Sequence, residues 1–285
     1  MRLLMDKFRF GTVGSPTTTP PKPGGSVGAI HRLSELELNA LELGWVQSVR
    51  VSEDTCRQIK HAGQLKDIAI SVHAPYFINL NANEEEWIKS KKRLMDAAYF
   101  GYLAGATDII FHPGSYFNLP PDQVLPISVQ RLRECVDELR LKDILVTLRP
   151  ETMGKKAMLG SLEDTLRMSV EIPGVLPCLD FAHLHARKGD GTLNTYDEWI
   201  KVLDTYQSAL GQESLYHLHI HLSGIEYGEK GEKEHLPIQE SDLNIQQIFQ
   251  ALKDMNCSGR ILCESPILEK DAIYLRDIYR EMERL

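Results

Sequence analysis

The chain has 285 residues, 42% of them apolar, enough for a sizeable core in one large domain or two small ones. A formal net charge of −8 excludes a protein that relies on bulk electrostatic attraction to nucleic acid, though not a local basic face around a cleft. Five scattered cysteines, Cys56, Cys135, Cys178, Cys257 and Cys263, with no CxxC pair, exclude a disulfide framework and point to a reducing cytosol.

Strand-like and helix-like segments alternate from end to end. Phe8–Val13 reads as the first strand. The stiff, proline-rich loop 15–25 follows, then a helix over Ser26–Glu37. The second strand is expected at Leu41–Val46, the second helix at Ser52–Gly63 and the third strand at Ile68–His73. The third helix opens on Glu84-Glu85-Glu86, where the helix dipole favours acids, and stops at Gly105. Thr107–Phe111 is the fourth strand. Val129, Leu132, Val136 and Leu139 then form one apolar helical stripe. Ile144–Leu148 is the fifth strand, and Ser161 with Asp164 reads as a near capping box. Val175–Leu179, Ser214–Ile220 and Gly259–Cys263 are the remaining strands. Helices are expected over Thr195–Leu210, Leu243–Met255 and Ala272–Glu283.

Alternation of this kind implies parallel pairing through right-handed crossovers. About eight such units in a chain of this length match a (β/α)8 TIM barrel, an α/β fold, with a doubly wound open sheet as the rival. The polar residues decide between them. They fall at the carboxyl ends of many strands rather than at one switch point. A barrel gathers those ends into a ring. With no linker or internal repeat, residues 1–285 are expected to form one domain. Charges at Arg2, Asp6 and Lys7 and the lack of a long apolar segment argue against a signal peptide or membrane span, and a cytoplasmic monomer is expected.

Six apolar runs end in imidazole or carboxylate. They deliver His73, His112, Glu151, Asp180 with His183, His221, and Glu264. Taken singly, each has an ordinary explanation: a hydrogen-bonded loop histidine, a helix-capping acid, or a carboxylate paired with Arg149. His217, His219 and His221 alternate with apolar residues and so share one strand face. His221, nearest the loop, is the expected ligand, with His219 as the alternative and His217 as a barrel-interior side chain. Brought to one ring, so many acids and imidazoles would repel or go unpaired unless cations held them. Histidine and carboxylate without cysteine suit Zn²⁺, or else Mn²⁺, and the number of ligands suggests more than one ion. Paired metals bridged by a carboxylate suit phosphodiester hydrolysis.

On its motifs the chain resembles the endonuclease IV family, within the xylose-isomerase-like barrels. The motifs are His73-Ala-Pro-Tyr-Phe-Ile-Asn-Leu80, Phe111-His-Pro-Gly-Ser115, Pro150-Glu-Thr152 with Gly154 and Leu159-Gly-Ser161, Leu179-Asp-Phe-Ala-His183, His221-Leu-Ser223 and Glu264-Ser265. They occur in the family's order. The resemblance implies cleavage of double-stranded DNA 5′ to an abasic site, as in base-excision repair. It implies two or three Zn²⁺ ions: the first on His73, His112 and Glu151, the second on Glu151, Asp180, His221 and Glu264. A third would take His183 with an Asp-x-His pair. Here His235 fits, but Lys233 stands where the aspartate is expected, so either Glu232 or Glu234 substitutes or the third ion is weak or absent. Glu151 is the implied catalytic residue, and Tyr76 and Phe77 occupy the positions that push into the duplex. Lys89, Lys91, Lys92 and Arg93, with Lys155, Lys156, Arg187 and Lys188, are candidates for a phosphate-contacting rim. Two rival readings use the same barrel: a single-metal sugar isomerase or epimerase, and a nucleic-acid-binding barrel with weakened activity.

Overall fold

The structure is a computed structural model that describes residues 7–284; Arg2 and Asp6 lie outside the described residues. Eight parallel strands form the central sheet: β1 (Phe8–Val13), β2 (Ala40–Gly44), β3 (Ala69–His73), β4 (Asp108–Phe111), β5 (Thr147–Pro150), β6 (Cys178–Asp180), β7 (Leu218–Leu222) and β10 (Gly259–Cys263). Their order is β5-β4-β3-β2-β1-β10-β7-β6. Parallel bridges from Leu148 to Val175 and from Glu151 to Cys178 bring the two ends of that order together, so the sheet curls into a nearly closed TIM barrel.

Helices α1 (Gly25–Glu35), α2 (Glu53–Lys66), α3 (Glu84–Leu103), α4 (Pro121–Leu141), α5 (Leu162–Glu171), α7 (Tyr196–Leu210) and α8 (Ile245–Asp254) lie between the strands in sequence, and α9 (Glu269–Arg284) follows β10. The predicted stripe of α4 is buried, as are Ile245, Ile248, Phe249 and Leu252 of α8. Asn83 caps α3 ahead of its three acids, and Ser161 with Asp164 forms a full capping box on α5.

Three strands begin later than the apolar pattern implies. The run Ile144–Leu148 is half approach loop: Ile144 packs in the core, but pairing with the four-residue β4 starts at Thr147. In β6, Pro177 cannot donate to a ladder, so regular pairing is confined to Cys178–Asp180. Residues Gln212–His217 coil into a 3₁₀ turn and the strand starts at Leu218. His217 is therefore exposed and not an interior side chain.

Two elements are additional. The short helix α6 (Phe181–Ala186) starts directly from β6, because the Asp180 carboxylate accepts the backbone N–H of His183 at 2.6 Å. An antiparallel hairpin, β8 (Gly224–Gly228) and β9 (Gly231–Leu236), rises from the end of β7.

The amino-terminal end of the barrel is plugged by charge. Asp108 accepts from Nε of Arg149 at 2.5 Å and lies 3.2 Å from Arg260, and all three are largely buried. Arg149 also donates to the carbonyls of Pro177 and His217. The acidic pairing partner of Arg149 is thus Asp108, which leaves Glu151 free for the opposite end.

Candidate metal centre at the carboxyl ends of the strands

Glu151 is fully buried at the end of β5, and its two oxygens face in different directions. Oε2 lies 3.2 Å from Nε2 of His73, at the end of β3, and 3.3 Å from Nε2 of His112, just past β4. Oε1 lies 3.3 Å from Nδ1 of His183 on α6 and 3.3 Å from Nδ1 of His221 on β7. Glu264, just past β10, is 3.5 Å from the same Nδ1 of His221. Every one of the eight predicted ligand residues reaches this ring.

Their donor atoms fall into overlapping groups. His73, His112 and Glu151 converge; Glu151, Asp180, His221 and Glu264 converge; and Asp180, His183 and His235 converge, the atoms within each group lying within 4.8 Å of one another. Hydrogen-bond partners fix which nitrogens are bare. Nδ1 of His73 sits 2.9 Å from the carbonyl of Ala74, Nδ1 of His183 3.0 Å from that of Thr152, and Nδ1 of His235 3.3 Å from that of Glu264. A carbonyl only accepts, so each of these Nδ1 atoms carries the proton in the neutral ring and Nε2 is left as a lone pair. For His73 that Nε2 faces the Glu151 carboxylate, another acceptor, at 3.2 Å, so a proton or a cation belongs between them. The bare Nε2 atoms of His183 and His235 then face each other at 3.2 Å. Two lone pairs at that distance need a proton or a cation between them.

The electrostatics point the same way. Burial would raise the Glu151 carboxyl, but the adjacent His221 and His112 more than offset this and hold it well below the usual carboxylate range. Burial pushes the Asp180 carboxyl up, and the charges of Glu151 and Glu264 add to the effect. Burial lowers His112, whereas the surrounding acids outweigh burial at His183 and His221 and lift both well above the ordinary imidazole value. The buried Oδ2 of Asp180 has no hydrogen-bond partner among the described residues and lies 3.4 Å from Nδ1 of His183, and Asp180 belongs to the second and third groups. A carboxylate oxygen left without a hydrogen bond among convergent imidazoles fits a divalent cation.

The hairpin that carries His235 also places Lys233 and its neighbours. Along the hairpin Glu226 pairs with Glu234, but Tyr227 pairs with Glu232, so Lys233 is the extra residue of a β-bulge. Lys233 points outward and pairs with Glu226 at 2.7 Å. The bulge carries Glu232 inward, to 3.6 Å from Nε2 of His183, while Glu234 stays exposed. Gly154 makes room for it: a Cβ there would sit 2.7 Å from Cβ of Glu232 and 3.1 Å from the His183 ring.

Tyr76 and Phe77 follow His73 on the β3–α3 loop. They are 45% and 55% exposed, unusual for aromatic side chains beside a buried cluster. The Tyr76 ring stacks on His112 at 5.0 Å and meets His73 edge-on at 5.3 Å. The cationic rim is narrower than the sequence implies. Lys89, Lys91, Lys92 and Arg93 are all paired with acids of α3 or α4, and Arg187 is committed to the carbonyls of Met153, Lys155 and Met158. Lys155 and Lys156 are exposed beside Gly154 and form no ion pair among the described residues.

One buried acid at the site escaped the sequence reading. Glu42, in the middle of β2, is fully buried and touches His219 and His221. Its only signal is a charge between Leu41 and Leu43 inside an apolar strand.

The family model described as a xylose isomerase-like TIM barrel matches residues 30–282. An uncharacterized protein of Methanocaldococcus jannaschii, MJ0133, is 39% identical over 274 residues, covering 96% of this chain and 97% of that one. A probable endonuclease 4 of Mycobacterium ulcerans is 35% identical over 135 residues, 46% of this chain and 52% of its own length. Among solved structures, an endonuclease IV from Thermus thermophilus superimposes with a TM-score of 0.71 at 21% identity, covering 96% of this chain and all of that one. A D-tagatose 3-epimerase-like protein superimposes with a TM-score of 0.67 at 18% identity over 96% and 97% of the two chains.

Proposed function

Because the chain belongs to the xylose isomerase-like TIM barrel family, and its sequence relatives in that family include endonuclease 4 proteins, we propose that it is a metal-dependent hydrolase that cuts DNA on the 5′ side of an abasic site. The observation that carries this reading is Glu151, whose two oxygens each face a separate pair of imidazoles. A single-ion isomerase or epimerase needs only the group of Glu151, Asp180, His221 and Glu264. His73 and His112, on the far oxygen of Glu151, are superfluous to that chemistry and suit a second ion.

In this proposal His73, His112 and Glu151 would hold one Zn²⁺, and Glu151, Asp180, His221 and Glu264 would hold another. His183 and His235, with Glu232 beside them, would hold a third. When bound, such ions supply Lewis acidity at the phosphate and a water whose pKa falls towards about 7. The protein supplies the rest. Glu151 fixes the spacing between the two halves of the centre. Burial of the ring excludes bulk water and strengthens each electrostatic contact. Tyr76 and Phe77, exposed above His112, press into the duplex and compensate the stacking lost when an abasic nucleotide is turned out, which is cheapest at a damaged position. Lys155 and Lys156 contact the flanking phosphates.

The test is zinc-loaded protein on a duplex oligonucleotide with one abasic site. Nicking 5′ to the lesion is expected. Glu151→Gln abolishes it, and Tyr76→Ala or Phe77→Ala weakens duplex binding by about 1–3 kcal/mol with metal content unchanged. Intact DNA with fully loaded protein, or one tightly bound ion per chain with turnover of a ketose, refutes the proposal and favours the epimerase reading.

A further inference from the structure

Glu42 sits where no metal group needs it, yet it is the acid most tightly engaged by the histidines of β7. It is fully buried on β2, across the barrel from them. Oε2 accepts from Ser71 Oγ at 2.8 Å and lies 2.8 Å from Nε2 of His219. Oε1 lies 3.0 Å from Nε2 of His221. That last approach is off the ideal hydrogen-bond line, and neither atom has a hydrogen-bond partner among the described residues, while Nδ1 of His221 meets Oε1 of Glu151 at 3.3 Å. The two orphans face each other at 3.0 Å, and Cys178 lies in one group with His219 and His221.

We propose that Glu42 is a positioning residue: its carboxylate, set between Nε2 of His219 and Nε2 of His221, locks His221 in the tautomer that turns a bare Nδ1 towards Glu151 and Glu264. This rests on the metal-centre reading above but not on the choice of substrate. The chemistry follows from the neutral imidazole, which has one N–H and one lone pair. With the N–H spent on Glu42, Nδ1 is free to ligate. Without Glu42, the proton is better placed on Nδ1, where it donates to Glu151 at 3.3 Å or Glu264 at 3.5 Å. That tautomer spoils two ligands at once, because it blocks the imidazole nitrogen and engages one carboxylate oxygen. A carboxylate behind a metal-binding histidine is a general way to fix ring orientation and raise ligand basicity, and its removal typically costs about 10–100-fold in metal affinity. Ser71 has its own part, since its hydroxyl steadies Oε2.

The experiment uses the full chain stripped of metal and titrated with Zn²⁺ against a chromophoric chelator, together with ¹⁵N-correlated imidazole spectra of the zinc-loaded protein. In the wild type His221 is expected as the Nε2–H tautomer with Nδ1 bound to metal. Glu42→Gln offers one acceptor where the carboxylate offers two. It is expected to weaken one ion by about 10–100-fold and leave the others unchanged. Ser71→Ala is expected to cause a smaller loss of the same ion. A wild-type spectrum with His221 protonated at Nδ1 overturns the proposal however the variants fold. So does a Glu42→Gln protein that melts earlier but keeps every zinc affinity and the same tautomer, since that is the signature of a purely structural acid. A wild type that binds no zinc overturns this inference and the metal centre together, whereas zinc binding as expected without cleavage of abasic DNA sinks only the proposed activity.

Discussion

Replacing Glu232 by glutamine tests whether the bulge at Lys233 builds a third cation site. The carboxylate lies 3.6 Å from Nε2 of His183, its side chain 19% exposed, beside a second bare nitrogen from His235. Two unit charges about 4 Å apart attract by about 4 kcal/mol at an effective dielectric of about 20, so a carboxylate and a divalent ion attract by about 8 kcal/mol. Desolvation of the acid and the ion takes back several kcal/mol. A net of about 3 kcal/mol remains, or about 100-fold in affinity at about 1.4 kcal/mol per decade. Glu232→Gln is therefore expected to weaken one zinc by about 100-fold, read by chelator competition. Gly154→Ala is expected to do the same, because its Cβ would lie 2.8 Å from Oε2 of Glu232, and the double variant is expected to be no worse than either single one. Lys233→Asp is the informative control. It restores an acid at the position where the family pattern has one, but on a side chain that faces Glu226 and solvent. It is expected to leave zinc binding unchanged and to cost stability by less than about 1 kcal/mol, the range of an exposed pair. A tighter third ion in Lys233→Asp, or an unchanged one in Glu232→Gln, refutes the bulge.

Metal binding is expected to release protons. His183 and His221 lie well above the ordinary imidazole value in the metal-free protein, so near neutral pH both carry protons that a cation must displace. Affinity then rises with pH by about one decade per pH unit for each proton displaced, and levels off above the raised values; calorimetry in buffers of different ionisation heat counts the protons, and a heat independent of buffer would contradict this. At the other end of the barrel, Asp108→Asn leaves Arg149 and Arg260 buried without their anion and is expected to cost about 3–5 kcal/mol in denaturant titrations, with zinc binding intact. Arg149 and Arg260 hold the Asp108 carboxyl well below its unfolded value despite burial. Its contribution is therefore present above about pH 4 and is lost as pH falls towards the depressed folded value, so the gap between wild type and variant should close in acid.

What was legible in the chain and what was not follows from how far apart the partners lie. Each ligand announces itself locally, because a strand buried on both faces is apolar until the residue that reaches the mouth, and His73, His112, Glu151 and Asp180 each mark that change. The alternation that specifies a barrel also specifies that these ends share a ring, so topology and ligand set came from one pattern. Strand starts were poorly marked, since an apolar approach such as Ile144 with Val146 packs in or against the core without pairing, and only the length of β4 decides where the ladder begins. Glu42 carried no local mark of its purpose. A carboxylate between two leucines is explained only by His219 and His221, which are distant in sequence and meet it inside the barrel. The bulge was hidden for a related reason. Side chains alternate along a strand, so Lys233 and His235 should share a face and Glu232 should point away; one residue slipped from the ladder inverts that assignment. The slip is legible only in the pairing with β8, and it brings the preceding residue, Glu232, to 3.6 Å from Nε2 of His183.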